Sequence, residues 1–169
     1  YARLGVGGAK LTAVRLTDCI DEACEMERGE IEATNLIVER GKLHVLKGDR
    51  VLLTRLFQNL LSNAMKYRRS GVPAKVTVVS EAVGDVAVIT FSDNGIGVPA
   101  EQEFEIFKMF SRLHSDSEYS GHGMGLAICK RICEIHGGSI TLDSSYRDGA
   151  RFVIRLPRAQ TKAGKGGAA

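Results

Sequence analysis

The chain has 169 residues, 44% apolar and 25% charged, values that suit one globular domain with its own core. Its 23 basic and 20 acidic side chains are interspersed and leave a formal charge of +3, so the electrostatic footprint of nucleic-acid binding is missing; the one dense basic spot, Lys66, Arg68 and Arg69, reads as a solvated helix end. No apolar run approaches the roughly 18 residues of a spanning helix, and a chain that opens on Tyr1 reads as a piece of a longer protein, so no membrane contact is expected of this piece, whatever the parent does.

Residues 1–9, with Gly5, Gly7 and Gly8, read as a flexible linker from an upstream region, 10–158 as the folded domain and 159–169 as a disordered tail. Residues 10–16 are a strand candidate. Thr17 or Asp18 is expected to cap a helix to about Arg28, with Ile20, Ala23, Cys24 and Glu27 at helical spacing. Cys19, Cys24, Cys129 and Cys133 lie in helical stretches without C-x-x-C spacing, so they read as small hydrophobes and not as metal ligands. Four such cysteines suit a reducing cytoplasm.

Residues 31–38 and 43–46 read as strands around a turn at Gly41. Asp49 caps a long helix whose apolar stripe includes Leu52, Leu53, Leu56, Phe57, Leu60 and Leu61, stopped by Gly71 and Pro73. Residues 75–82 and 85–92 form a predicted hairpin about Gly84, followed by a glycine-rich turn over 93–98. Pro99 opens a short helix to about Met109, and a polar loop, 111–120, comes next. Residues 126–136 are a helix ended by Gly137 and Gly138, and 139–143 and 151–156 are closing strands. Consecutive strands stand too close for crossover helices. The predicted fold is therefore an α/β (α+β) two-layer sandwich with a mixed, mostly antiparallel sheet and helices on one face.

Three motifs carry chemistry. In QNLLSNAMKYR, Asn59 and Asn63 are four apart and Lys66 follows three later, so they share one helical face. Amides are poor helix formers, but an amide oxygen is a hard neutral donor for Mg²⁺, and an amine nearby can meet the phosphates that the ion bridges; a plain polar helix face is the competing reading. In SDNGIGVP, Asp93 at a strand end followed by Gly95 and Gly97 makes a turn into which a flat ligand can press. A carboxylate there would accept from the exocyclic amine of adenine and repel the carbonyl of guanine, although Asp-Asn-Gly is also ordinary turn chemistry. In SGHGMGLAICK, Gly121, Gly123 and Gly125 run straight into a helix, an arrangement whose N–H groups and helix dipole attract phosphate. It lacks the strand-first spacing of a dinucleotide fingerprint.

Together, and in this order, these segments resemble the catalytic ATP-binding domain of sensor histidine kinases, within the superfamily of gyrase-type and Hsp90-type ATPases and their Bergerat-type fold. Residues 56–67 match the N box, 93–98 the first glycine box, 104–112 (with Phe104, Phe107 and Phe110) the F box, and 121–126 the second glycine box. The stretch FKMFSRLHSDSEYSGHGMGLAICK is similar to phytochrome-like and PAS-linked bacterial kinases. The resemblance implies that Asn63 ligates Mg²⁺ with Asn59 beside it, Lys66 approaches the phosphates of ATP, and Tyr67 flanks the ribose or base. It implies that Asp93 reads adenine in a pocket shaped by Gly95, Ile96 and Gly97. Lys108 and Arg112 would reach phosphate from a mobile lid over 111–120, while Gly121, His122, Gly123, Met124, Gly125 and Leu126 would meet the triphosphate.

Further implications follow from the same resemblance. Asn59 stands where hydrolysing relatives carry a Glu, so ATP would be held for transfer and not for hydrolysis. None of His44, His114, His122 and His136 has the S-H-E-L-R context of an acceptor, so the acceptor histidine, the dimerising helices and the sensor belong to upstream partners, and a response regulator receiver domain takes the phosphoryl group onward. His122 replaces the usual hydroxyl residue of its box, and Ala150 another near the adenine network. A catalytically degenerate ATP-sensing module and a serine/threonine kinase of the same superfamily remain alternatives.

Overall fold

The computed structural model describes residues 8–109 and 125–160. Strand β1 (Thr12–Arg15) runs directly into helix α1 (Leu16–Met26), whose buried stripe is Leu16, Cys19, Ile20 and Ala23. The helix starts one residue before the expected caps: extended Arg15 is the capping position, without a side-chain cap bond. Asp18 consequently lies inside the first turn, where a negative charge complements the helix dipole.

The next segment departs most from the sequence reading. Arg28–Thr34 is a second short helix, α2, and not the first part of a strand. Glu30, Glu32 and Ala33 are good helix formers, no residue of α2 is buried, and Asn35 in the left-handed conformation (φ 53°) ends it. Strand β2 is left with Ile37–Arg40, and β3 is Val45–Gly48. These two do not pair around Gly41. Gly41 N–H donates to Val78 O (2.9 Å) and Ser80 N–H to Lys42 O (2.8 Å), so the chain continues alongside its neighbour instead of folding back. Strand β3 pairs with β1 in a separate two-stranded sheet.

Helix α3 (Arg50–Lys66) begins as expected, with the Asp49 side chain accepting from Leu52 N–H at 3.1 Å. Asp49 N–H donates to Nε2 of His136, a ring only 3% exposed, which ties the start of α3 to the end of the last helix. Tyr67 is the C-cap, so α3 stops well before Gly71. Strands β4 (Lys75–Val83) and β5 (Val86–Asp93) form the predicted hairpin, with Gly84 at φ 59°. Beyond Pro99 the expected single helix is two 3-10 turns, Ala100–Gln102 and Glu105–Phe107. Only Ile106 and Phe107 are buried in them, too few apolar residues to pin a longer helix against the core. Phe107 meets Phe152 edge-on at 6.3 Å.

Helix α4 (Gly125–Ile135) ends in a paired glycine motif: Gly137, at φ 72°, donates to Glu134 O and Gly138 to Cys133 O. Strands β6 (Ser139–Leu142) and β7 (Arg151–Pro157) complete a five-stranded sheet of order β2-β4-β5-β7-β6, in which only β2 and β4 are parallel. The inward residues alternate along each strand, for instance Ala87, Ile89 and Phe91 on β5 and Phe152, Ile154 and Leu156 on β7. They pack against Leu53, Leu56, Phe57, Leu60 and Leu61 of α3 and Ile132 of α4. Each of the Leu, Ile and Phe side chains contributes about 1.5–3 kcal/mol on burial. The outcome is the mixed, mostly antiparallel α+β fold that the strand spacing implies.

Cys19, Cys129 and Cys133 belong to this core and Cys24 lies at its margin. Burial pushes the Cys19 thiol up to about 11, Cys133 up to about 12 and Cys129 well above its ordinary range. Since the thiolate is the reactive form, a thiol reagent at neutral pH should label Cys24 first and the other three only on unfolding. Stoichiometric labelling read by intact mass would contradict this packing if the native protein showed more than one fast thiol.

Candidate functional site

Helix α3 carries two amides toward the start of α4. The Oδ1 atoms of Asn59 and Asn63 each lie 3.9 Å from the point where a Cβ on Gly125 would stand, so both face the first residue of that helix. The opening N–H groups of a helix have no partner inside it and carry partial positive charge. Among the described residues Asn59 Nδ2 is buried without a hydrogen-bond partner, a donor whose isolation costs about 1–3 kcal/mol unless something else satisfies it. The second half of α3 and the start of α4 thus meet at a polar spot that the described side chains do not satisfy. Neutral amide oxygens suit a hard cation such as Mg²⁺ shared with phosphate oxygens. Among the described residues no group of three or more His, Cys, Asp or Glu side chains offers an alternative metal cage.

At the C-terminal end of α3, Lys66 Nζ stands 5.1 Å from the centre of the Tyr67 ring. The Tyr67 carbonyl accepts from Ile96 N–H at 3.0 Å, which stitches α3 to the glycine turn after β5. A Cβ on Gly95 would lie 2.5 Å from that same carbonyl. Only glycine permits the approach.

Asp93 is the last residue of β5 and 8% exposed. Its Oδ1 accepts from Gly95 N–H (2.9 Å) and Ala150 N–H (3.0 Å), and its own N–H donates to Ala150 O at 2.9 Å. Among the described residues Oδ2 accepts no hydrogen bond. Burial pushes the carboxyl above the usual carboxylate range, opposed by the two backbone donors and by the charge of Arg69. Gly149 presses on the opposite side. A Cβ there would overlap the Asp93 carbonyl and lie 2.9 Å from Oδ1. Gly97, at φ 75°, in turn backs onto Gly149, whose oxygen is 3.0 Å from where its Cβ would be. Ile96, 39% exposed, stands at the open side of this frame.

Sequence reasoning passed over Gly149, although a Gly between Asp148 and a strand is a readable turn signal. It noticed Ala150 for the hydroxyl it lacks, whereas the residue here holds Asp93 through its backbone. The Lys108 amine pairs with Glu105 at 2.6 Å and its side chain is 65% exposed. Leu126 packs partly against the core. Phe110, Arg112, His114, the loop 111–120, Gly121, His122, Gly123 and Met124 lie outside the described residues.

The family model for histidine kinase-, DNA gyrase B- and HSP90-like ATPases matches residues 48–160. The phytochrome-like protein Cph1 of Synechocystis is 35% identical over 157 residues, which is 93% of this chain and 21% of that protein. The chain spans about a fifth of the length of the curated relatives it matches, as with cyanobacterial phytochrome A of Nostoc, of which it covers 20%. A mycobacterial sensor histidine kinase, MprB, superposes with a TM-score of 0.75 at 27% identity, covering 89% of this chain and 99% of that one. Full-length ShkA, solved in complex with AMPPNP, shares the fold with a TM-score of 0.76 at 23% identity, over 95% of this chain and 34% of that one.

Proposed function

The chain belongs to the histidine kinase-, DNA gyrase B- and HSP90-like ATPases, and we propose that it binds Mg·ATP in this cleft and donates the γ-phosphoryl group to a histidine on a separate helical domain of its parent. One observation carries the reading: the amide pair at the start of α4 and the glycine-framed carboxylate of Asp93 lie on one connected frame, joined through Tyr67 and Ile96. The two ends offer what the two ends of a nucleotide need.

Asp93 Oδ2 accepts from the exocyclic amine of adenine while Oδ1 stays engaged with Gly95 and Ala150, so the base is read by an atom whose neighbours are already fixed. Asn63, with Asn59 beside it, would hold Mg²⁺, which when bound neutralises the phosphate oxygens. Lys66 adds positive charge beside them. An amide cannot take a proton from water, so Asn59 supports positioning without the general base that hydrolysis would use. The described histidines are held in structural contacts. His136 has both ring nitrogens occupied, by Asp49 N–H and Ile132 O, and His44 Nδ1 lies 2.7 Å from Ser80 Oγ. The acceptor is then supplied by an upstream dimerisation domain, with a sensor domain before it and a receiver domain of a response regulator as the next partner; this domain works in the cytoplasm, whether the parent is soluble or membrane-anchored.

Calorimetric titration with Mg·ATP and with Mg·GTP tests the first half of this reading, and labelled ATP tests the second. ATP should be preferred, turnover of ATP by the domain alone should stay below about 1 s⁻¹, and acid-labile phosphohistidine should form only when the parent's helical domain is added. Equal binding of the two nucleotides, or brisk hydrolysis, would overturn it.

A further inference from the structure

Directly behind Asp93, on the sheet face away from the helices, Ser92 of β5 and Arg151 of β7 are registered partners. Arg151 Nε donates to Ser92 Oγ at 2.9 Å. The same guanidinium lies 4.0 Å from the centre of the Tyr146 ring and 3.9 Å from Asp143 Oδ2. Asp143 and Tyr146 belong to the loop 143–150, whose last two residues are the Gly149 and Ala150 that press on Asp93. That loop is also folded on its own start: Asp143 Oδ1 accepts from Ser145 N–H at 3.1 Å, Tyr146 N–H donates to Asp143 O at 3.2 Å, and Asp143 N–H donates to Arg151 O at 2.8 Å. One side chain therefore meets a strand end and two residues, Asp143 and Tyr146, of the first half of the loop, directly beside Ala150 in the chain.

We propose that Arg151 is a positioning residue for adenine selection, a clamp that closes the loop 143–150 from behind so that Gly149 and Ala150 hold the Asp93 carboxylate in its reading position. The inference rests on the reading of the cleft as an ATP site. Loop 143–150 is polar and contains a glycine, so ordering it costs backbone entropy that few apolar contacts repay. A guanidinium serves here where an ammonium does not, because its planar fork can donate to Ser92, stack on Tyr146 and face Asp143 at once.

The test compares Arg151→Leu, Arg151→Lys, Tyr146→Ala and Tyr146→Phe with Arg155→Leu, a change at an exposed arginine of the same strand. Binding of Mg·ATP and Mg·GTP, hydrogen exchange at the Ala150 amide and thermal unfolding are followed together. Arg151→Leu should weaken Mg·ATP by about three- to tenfold, lower the ATP-to-GTP ratio and speed Ala150 exchange, with Arg151→Lys restoring little. Tyr146→Ala should reproduce the loss and Tyr146→Phe, which keeps the ring face, should restore it, while Arg155→Leu behaves as the parent. The proposal is overturned if folded Arg151→Leu keeps its ATP affinity and its Ala150 protection, or if ATP and GTP weaken equally along with the whole fold. Should the unsubstituted protein fail to prefer ATP, the reading of the cleft falls, and Ala150 exchange still decides whether Arg151 is the clamp.

Discussion

Phosphoryl transfer should collapse in Asn63→Ala while the fold becomes slightly more stable. Asn63 sits on the interior of α3 and its described hydrogen bond is the backbone one from Tyr67 N–H to its carbonyl, which alanine keeps. Alanine is the better helix former by up to about 0.7 kcal/mol, so nothing local opposes the change. Its side-chain oxygen, however, is one of the two aimed at the start of α4. Removing a preorganised group that meets developing charge typically costs about 10²–10³-fold in rate. Transfer of labelled phosphate to the parent's helical domain, measured beside denaturant unfolding, separates the two effects. A variant that transfers normally would show that the amide is an ordinary polar face. Loss of stability together with activity would mean that Asn63 is structural.

Asp93→Asn should weaken Mg·ATP by about ten- to a hundredfold and leave the fold intact. The amide oxygen of Asn can still accept from Gly95 and Ala150, so the frame that Oδ1 organises survives. The other terminus changes from an acceptor to a donor facing the adenine amine, and a hydrogen bond to a charged group, worth about 1.5–3 kcal/mol, is lost. The pH dependence distinguishes this from a general weakening. Burial raises the folded-state value of Asp93 above the ordinary carboxylate range. The ionised carboxylate therefore lowers stability at neutral pH, and protonation on acidification relieves that cost. Binding moves the other way, because protonating the carboxyl removes the acceptor. As the pH falls through this raised value, ATP affinity should drop while the contribution of Asp93 to stability improves, and Asp93→Asn should show neither change. Affinity that stays flat with pH down to the ordinary carboxylate range in the unsubstituted protein would remove Asp93 from the role of base reader.

The parts of the fold legible in the sequence are those where local physics has no competitor. Asp49 caps α3 because an acid directly before a long apolar stripe has a free N–H to accept from. The hairpin about Gly84 forms because two β-rich runs flank a residue that tolerates positive φ. Residues 28–40 were less transparent: Ile31 and Thr34 have strand-like side chains, yet without a partner strand at hand the good helix formers between them prevail, and Asn35 ends the turn. The pairing of β3 with β1, across the whole of α1 and α2, is a long-range choice that no local pattern announces.

For the site, spacing along the chain already placed Asn59, Asn63 and Lys66 on one side of a helix and put an acid before a glycine turn. What only the tertiary structure decided is which atoms meet: that both amides look at Gly125, that Oδ1 of Asp93 is consumed by Gly95 and Ala150, that Gly149 must be glycine because the Asp93 backbone occupies the space a side chain needs, and that Arg151 braces this arrangement from the far face. Periodicity and capping act over a few residues and can be read from neighbours in the chain. Close approach between segments fifty or more residues apart depends on how the sheet and helices pack, and a linear pattern carries no distance across it.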